Sequence, residues 1–348
     1  MKAVILNKPG DFSIEKISTP EPQADEVLLR IVMSGICVND VRDFKGENKH
    51  SFPRIGGHEY CGVIEKLGAA VDRKKFSVGQ KAVSYIIDDC KTCYLCKRGE
   101  ENICLNMAQS KTLQNPDGIS GYCGFAEFIA VKAEELLLYP DDADFERMAF
   151  TEPLACVVNS VNHADIRFGD DVLVIGGGTM GLLHVLLSKK RGARVILSEP
   201  MKERRKKALN LGCDITINPL NLPEELNKLT DGRGANVVFN TTAIPAVAKQ
   251  AVELTAAGGV VNMFSSIHPN TPVEVDMGKI HSLQKTIRGT VNSTVSDFQQ
   301  AVLLIGKKII DPSPLIENIF PFEKFGEAME TAVRPDTYKV ILQFSSTN

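Results

Sequence analysis

The spacing of hydrophobic positions changes about 150 residues into the chain. Before that point, short apolar and β-branched runs are interrupted by Gly and Pro, which is typical of strands joined by turns. Such runs lie at 1–6, 26–32, 62–67 and 124–131. The first part of the chain is therefore predicted to be β-rich.

After Pro153, apolar runs alternate with helix-like stretches. Strands are predicted at 171–175, 193–198, 236–240, 259–264 and 286–291, and helices at 179–190, 202–211 and 245–254. This alternation predicts βαβ units, hence an α/β fold with a doubly wound parallel sheet covered by helices on both faces. The last ~55 residues return to a mixed pattern and end in a strand-like run at 339–344. We expect this segment to pack back onto the first domain.

Composition narrows the classes of function. The 348 residues are 43% hydrophobic and 24% charged, with a formal net charge of −3, so a general nucleic-acid surface is not expected. The first residues do not read as a signal peptide, and no apolar stretch approaches the ~18 residues of a membrane span. We expect a cytoplasmic enzyme with a small-molecule substrate and no membrane partner. In such a compartment the nine cysteines favour metal binding over disulfides.

A glycine motif predicts a dinucleotide site. Its residues are Gly176, Gly178, Thr179, Met180 and Gly181, and they follow a predicted strand and open a predicted helix. Glu199 ends the next strand at the offset expected for a ribose ligand, and its charge favours NAD over NADP. Arg204 and its basic neighbours weaken this preference, although a solvated helix face explains most of that run. A glycine-rich turn without ligand is the alternative.

The strongest single pattern is a loop at 90–104 with four cysteines: Cys90, Cys93, Cys96 and Cys104. Four thiolates at short spacings can close a tetrahedral zinc site with no open position, so this site is predicted to be structural. An iron–sulfur cluster is the rival, but the bacterial ferredoxin run is tighter and its last cysteine precedes Pro. Four unliganded cysteines are the remaining alternative.

A second, dispersed set of metal-binding residue types is formed by Cys37, His58, Glu59 and Glu152. Sulfur, nitrogen and carboxylate ligands together suit a zinc ion with an exchangeable position. Each residue taken alone has an ordinary structural explanation.

The chain resembles the zinc-containing medium-chain dehydrogenases, within them the polyol (sorbitol-type) and threonine dehydrogenase branch. The motifs that carry the resemblance are Gly35-Ile36-Cys37-Val38-Asn39-Asp40, Gly57-His58-Glu59, the four-cysteine loop, Gly124-Phe125-Ala126-Glu127, Thr151-Glu152-Pro153-Leu154-Ala155 and Gly176-Gly177-Gly178-Thr179-Met180-Gly181.

The resemblance implies a GroES-like catalytic domain in two segments, 1–144 and 292–348, around a Rossmann NAD-binding domain at 145–291. It implies two zinc ions per chain: a structural ion in the loop and a catalytic ion held by Cys37, His58 and Glu59, with Glu152 as a further or alternating ligand. It also implies hydride transfer between a secondary alcohol of a polyol or sugar derivative and NAD, in a homodimer or homotetramer.

Two departures from the family pattern bear on mechanism and substrate. Asn39 and Arg42 stand where the family usually has a hydroxyl residue and often a histidine, which relay the substrate proton. Neither is a good proton carrier at neutral pH. The segment 288–293 lacks the Arg-Tyr pair of sorbitol dehydrogenases and looks more like relatives acting on sugar acids or sugar phosphates.

Three alternatives stay open. They are a catalytically degenerate zinc-binding relative acting as a scaffold or sensor, an NADP-linked reductase of a sugar acid or sugar phosphate, and a zinc-free quinone or enone reductase. The last should lack the four-cysteine loop.

Overall fold

The computed structural model describes residues 1–87, 89–107 and 113–344, with only the backbone of residues 113 and 114. The last four residues of the predicted return segment therefore lie outside the described residues. The chain divides into two compact units, one formed by Met1–Ala155 with Thr294–Asn348 and the other by Cys156–Ser293. Among the described residues, no helix has both the length and the apolar character that a membrane crossing requires.

The strands are β1 (Lys2–Lys8), β2 (Asp11–Lys16), β3 (Glu26–Ile36), β4 (Arg54–Ile55), β5 (Glu59–Leu67), β6 (Lys81–Ser84), β7 (Leu113–Gln114), β8 (Ser120–Gly121), β9 (Phe128–Lys132), β10 (Leu136–Leu138), β11 (Asp171–Ile175), β12 (Arg194–Ser198), β13 (Ile215–Ile217), β14 (Ala235–Asn240), β15 (Thr255–Met263), β16 (Thr286–Gly289), β17 (Ile316–Pro321) and β18 (Lys339–Gln343).

The α-helices are α1 (Val38–Lys45), α2 (Phe145–Met148), α3 (Thr151–Asn162), α4 (Thr179–Lys190), α5 (Lys202–Asn210), α6 (Leu222–Leu229), α7 (Pro245–Leu254), α8 (Met277–Ser282), α9 (Val295–Gly306) and α10 (Phe325–Val333).

The first unit is built around the long strand β3. Its near-continuous apolar run is buried along most of its length, as a strand covered on both faces should be. β3 pairs antiparallel with β5, β9 and β18, and β18 pairs in parallel with β17. The smaller sheet of this unit has the order β2-β1-β4-β8-β7. Strand β18 thus brings the end of the chain against its first segment.

The second unit contains a six-stranded parallel sheet in the order β13-β12-β11-β14-β15-β16. This strand order is that of a doubly wound dinucleotide-binding sheet, in which the first strand of the unit lies near the centre. Five of the six strands were predicted from the sequence, β13 was not, and β11, predicted as a buried parallel strand, is buried at all five positions. The predicted α/β fold class is confirmed.

One predicted strand is shorter than its pattern suggested. The run at 124–131 becomes a strand only at Phe128, because the residues before it divide their backbone hydrogen bonds between a glycine turn and the strands β1 and β3 and form no continuous ladder with one partner. The amides of Gly124 and Phe125 donate to the carbonyl oxygens of Gly57 and Gly56 at 3.0 Å each. The run therefore braces the turn that precedes His58.

A buried polar chain crosses the interior of the second unit. His184, on α4, is fully buried, and its Nδ1 donates to the carbonyl oxygen of Met180 at 2.8 Å. A carbonyl can only accept, so Nε2 carries no proton and accepts from the Ser160 hydroxyl at 2.9 Å. Asn262 donates to Ser160 Oγ at 3.1 Å and accepts from Thr290 Oγ1 at 3.0 Å. Burial lowers the pKa of His184 to about 4.

The first prediction concerns acid stability. The pKa of His184 is lower in the folded than in the unfolded chain, so the unfolded chain binds this proton more readily. The stability present above pH ~6.5 is then lost as the pH falls toward 4, by about 3 kcal/mol. Urea unfolding from pH 4.5 to 7.5 should show this slope, and His184→Gln should flatten it. His281→Gln, an exposed histidine of α8, is the matched control. Equal slopes in all three proteins would contradict this assignment.

Candidate metal centres and dinucleotide site

The strand pairing of the first unit brings three dispersed residues together. Cys37 follows β3 and caps α1, while His58 and Glu59 stand at the start of β5. Gly35 of β3 pairs with Glu59 of β5. This pairing brings Cys37, two residues after Gly35, close to His58, the residue before Glu59. Ligand atoms of Cys37, His58 and Glu59 lie within 4.8 Å of one another. One sulfur, one nitrogen and one oxygen at this separation match the mixed ligand set of a zinc ion with an open position.

Glycine at position 35 is required by this close approach. A Cβ there would lie 2.2 Å from Glu59 Oε2, so any side chain would displace the carboxylate. The small residue in β3 therefore leaves the space that the acidic residue of β5 occupies.

Asp40 supports the set from behind. Its Oδ2 accepts from the Cys37 amide at 2.9 Å, and its Oδ1 accepts from the Gly57 amide at 3.0 Å. The carboxylate thus ties the start of α1 to the turn that carries His58, and it lies 3.9 Å from His58 Nδ1. A carboxylate behind a ligating histidine orients the ring and raises its basicity. This role of Asp40 was not predicted from the sequence, although its position three residues after Cys37, in the first turn of a helix, was a clue.

A role for Lys339 was not predicted from the sequence. Its ammonium lies 2.7 Å from Oε1 and 2.6 Å from Oε2 of Glu59, and both side chains are almost fully buried. Burial opposes the charge on Lys339, but Glu59 together with Cys37 and Glu152 outweighs it, and the pKa of the lysine is raised. Both carboxylate oxygens are therefore engaged by one cation, so Glu59 would bind a metal ion while sharing its charge with Lys339.

The pKa shifts of Cys37 and His58 are consistent with a metal cation replacing the protons on these two residues. Burial raises the pKa of the Cys37 thiol. Burial works against charge on His58 as well, but Cys37 and Asp40 raise its pKa well above the ordinary value. The negative groups around the ring therefore attract positive charge into a buried place. A zinc ion would supply that charge in place of the protons.

The other predicted catalytic residues lie around this set. Glu152, in the first turn of α3, is outside the group whose atoms lie within 4.8 Å, yet its charge helps to raise the pKa values of His58 and Lys339. Asn39 is exposed on α1, and Arg42 lies further along the same helix.

The four cysteines at 90–104 also converge. Cys93 Sγ lies 3.4 Å from Cys96 Sγ and 3.9 Å from Cys104 Sγ, and Cys90 Sγ lies 4.0 Å from Cys96 Sγ. A tetrahedron of sulfurs about 2.3 Å from a zinc ion has edges of about 3.8 Å. The spacing therefore has room for one ion and not for a cluster of several irons.

Backbone amides stabilise thiolates in this loop. The Cys93 amide donates to Cys90 Sγ at 3.3 Å, and the Asn106 amide donates to Cys104 Sγ at 3.3 Å. Hydrogen bonds from the Thr92 hydroxyl and from the Thr92 and Cys93 amides lower the pKa of Cys90 to about 5. Thiolates are the form that binds zinc, so the loop matches a structural site on chemistry as well as spacing.

In the second unit, the glycine turn lies between β11 and α4, and Gly178 caps that helix. A Cβ on Gly181 would lie 1.9 Å from the Gly176 carbonyl oxygen, so glycine is needed for the helix to approach the turn. Thr179 and Met180 form the first turn of α4, whose free amides suit a pyrophosphate.

Glu199, at the end of β12, contacts the glycine turn directly. Its Oε2 accepts from the Gly177 amide at 2.7 Å and its Oε1 accepts from the Met201 amide at 2.9 Å. The Arg204 guanidinium lies 3.9 Å from where a Cβ of Gly178 would be. The structure thus brings the predicted acidic and basic residues to one turn.

Two family models match the chain. The alcohol dehydrogenase GroES-like domain matches residues 23–141, and the zinc-binding dehydrogenase domain matches residues 179–307.

Similar proteins cover nearly the whole chain. A 2-dehydro-3-deoxy-L-galactonate 5-dehydrogenase of Pseudoalteromonas atlantica is 30% identical over 321 residues, 91% of each chain. A D-arabitol-phosphate dehydrogenase of Enterococcus avium is 28% identical, over 99% of this chain and 97% of that one. The structure of a short chain alcohol dehydrogenase from E. coli CFT073, complexed with NADH, is 27% identical, with a TM-score of 0.88 over 99% of both chains.

The second prediction tests whether the four-cysteine loop has a structural role, in contrast to the set of Cys37, His58 and Glu59. Cys93→Ser removes one of four sulfurs that we expect to hold a structural ion, whose binding contributes directly to folding. The midpoint of thermal unfolding should fall on the order of 10 °C, and zinc content should drop by about one ion per chain. Cys213→Ser, outside both sets, serves as the control. A variant as stable as the parent but inactive would mean that the loop is catalytic.

The third prediction tests the buried ion pair. Lys339→Met leaves the Glu59 carboxylate buried without its cation, which should cost about 3–5 kcal/mol in metal-free protein. Denaturant unfolding should show this loss, and Lys339→Arg should show less of it because the charge is retained. Adding zinc should recover part of the stability if the ion binds Glu59. An unchanged free energy of unfolding in metal-free Lys339→Met would refute this account.

Proposed function

Because the chain belongs to the zinc-containing medium-chain dehydrogenase family, we propose that it oxidises a secondary alcohol of a polyol or sugar derivative with NAD. The coarser part of this statement, an oxidoreductase of the alcohol dehydrogenase type, follows from family membership. The observation that carries the rest is the convergence of Cys37, His58 and Glu59 within 4.8 Å. A scaffold or sensor that had lost catalysis would have no need to keep this set intact.

Two zinc ions per chain are proposed, one held by Cys37, His58 and Glu59 with Glu152 nearby, and one by the four-cysteine loop. When bound at the first set, zinc would lower the pKa of a substrate hydroxyl and polarise the carbonyl product. Asp40 would hold the His58 ring in position. Lys339 would share the charge of Glu59, and so modulate how strongly that carboxylate attracts the ion.

The hydroxyl proton needs an acceptor, since Asn39 and Arg42 replace the usual relay. Lys339 engages both oxygens of Glu59, which makes Glu59 a poor base. We therefore propose Glu152 as the group that accepts the proton, directly or through a water molecule.

NAD is the proposed cofactor, bound by the glycine turn with its ribose on Glu199. An ionised carboxylate has about four lone-pair sites, and two amides use only two of them, so hydroxyl groups can still be accepted. The negative charge disfavours the 2′-phosphate of NADP. Arg204 beside the turn would bind a cofactor phosphate.

A sugar-derived substrate is supported by two relatives, one named for arabitol phosphate and one for a deoxy-galactonate. A homodimer or homotetramer is also proposed. It is supported by β16, which lies at the edge of the parallel sheet with all four residues exposed. An exposed edge strand is a template for pairing with another chain.

The fourth prediction tests this function. Zinc-loaded protein should reduce NAD with at least one member of a panel of polyols, sugar acids and their phosphates. Cys37→Ser should lower kcat/KM by about 10²–10⁴, because metal stabilisation of the transition state amounts to several kcal/mol. Cys213→Ser should keep full activity. Protein containing two zinc ions that reduces neither NAD nor NADP with any member would refute the proposal.

The cofactor arm of the same assay compares NAD with NADP. We expect a higher kcat/KM with NAD, and Glu199→Gln should narrow the difference about ten- to a hundredfold. Glutamine keeps one acceptor for the turn while removing the charge. A wild-type preference for NADP would overturn the assignment to Glu199.

A further inference from the structure

A cavity of about 280 Å³ opens beside the three-residue set in the first unit. His58 of that set lines it, and so does Asn39, two residues after Cys37. Ligand sites for drug-sized molecules begin at about 300 Å³. The cavity therefore matches a small substrate, such as a short-chain polyol derivative, next to the place where a hydroxyl would react.

The carboxylates in the cavity wall already have hydrogen-bond or ion-pair partners within the protein. Asp40 accepts from two backbone amides, as described above. Asp43 lies 3.2 Å from the buried Arg54 guanidinium, 2.7 Å from Asn48 Nδ2 and 3.4 Å from His50 Nε2. The negative charge of Asp43 is thus balanced by a cation behind the wall and does not dominate the cavity.

The donors in the wall are, in contrast, available. Lys49 lines the cavity, is exposed, and forms no ion pair with any residue in the described ranges. His50 Nε2 lies 3.4 Å from Asp43 Oδ1, so its Nδ1 donates to a ligand only in the imidazolium form, and the side chain is 45% exposed. Within the same ranges, the Asn39 carboxamide and the Tyr122 hydroxyl make no hydrogen bond.

We infer that this cavity binds an anionic end of the substrate, a phosphate or a carboxylate, through Lys49 and His50, with Asn39 and Tyr122 as hydrogen-bond donors. The inference rests on the proposed dehydrogenase function and defines its substrate class. A neutral polyol would need no cation at this place, whereas the Lys49 ammonium matches the charge of such a group, and the imidazolium form of His50 adds a second donor for its acceptor oxygens. Sorbitol-like neutral polyols would then be poor substrates.

The test compares matched pairs that differ only in the anionic group. The pairs are sorbitol with sorbitol 6-phosphate, galactitol with galactitol 1-phosphate, and galactitol with galactonate as the carboxylate arm. For zinc-loaded protein, kcat/KM with NAD should be at least about tenfold higher for the anionic member of one pair. Calorimetric titration of the same protein with sorbitol 6-phosphate and with sorbitol gives a binding readout independent of turnover.

Variants test whether the preference for anionic substrates comes from Lys49 and His50. Lys49→Met and His50→Gln should each lower kcat/KM for the anionic substrate about tenfold, chiefly through KM, and so should narrow the ratio between the anionic and the neutral member of each pair. Lys49→Arg should retain most of the preference. Lys16→Met, an exposed lysine on β2 that does not line the cavity, is the matched control and should behave as wild type.

Each outcome has one meaning. Equal kcat/KM and equal affinity for both members of all pairs would overturn the inference and leave the dehydrogenase function intact. An anionic preference that survives Lys49→Met and His50→Gln would overturn the assigned site. Tight binding of sorbitol 6-phosphate that depends on Lys49, without turnover of any compound, would support the anion site and refute the proposed function.

Discussion

The buried pair of Glu59 and Lys339 is the interaction on which the first unit depends. The acid comes from β5 and the base from β18, and β3 lies between these two strands. Burying two charges is costly unless each compensates the other, so the register of both strand pairs must hold for either residue to be tolerated. The same register brings Cys37 beside His58. One ion pair therefore couples the return of the C-terminal segment to the assembly of the predicted metal set.

A common rule governs the acidic residues around that set. Asp40 is held by two backbone amides, Glu59 by Lys339, and Asp43 by the buried Arg54. Each of these three carboxylates has a fixed protein partner, so little of their negative charge is left uncompensated around the set. Within the described part of the chain, the adjoining cavity leaves Lys49 without an ion pair and the Asn39 carboxamide and Tyr122 hydroxyl without hydrogen bonds. The wall is thus suited to repel a second cation and to receive an anion beside a cationic reaction centre.

Patterns within short stretches of sequence predicted much of this molecule, but contacts between residues distant in sequence could not be predicted. The glycine turn and the four-cysteine loop are contiguous in sequence, so spacing alone indicates their geometry. Cys37 and His58 are brought together by one strand pair, and the family resemblance, not the β-rich pattern, implied that they meet. Lys339, however, lies 280 residues from Glu59, and nothing in a lone lysine at the start of a strand shows that it is buried. Lys49 and His50 occupy an irregular loop with no periodicity to read. The strand predicted at 124–131 is shorter than expected, because apolar alternation does not show that the Gly124 and Phe125 amides donate to a glycine turn.

Glu199 shows how a structural role changes the meaning of a motif residue. An acidic residue at the end of the second strand favours NAD because it can accept ribose hydroxyls. Here the carboxylate also accepts the amides of Gly177 and Met201, so it orders the turn even without a cofactor. Its presence alone is therefore weaker support for NAD than the motif suggests, since folding would retain an acceptor there in either case. The charge is what distinguishes the cofactors, because glutamine could accept an amide hydrogen bond but could not repel a phosphate. The cofactor preference of this chain depends on that charge and on how far Arg204 offsets it.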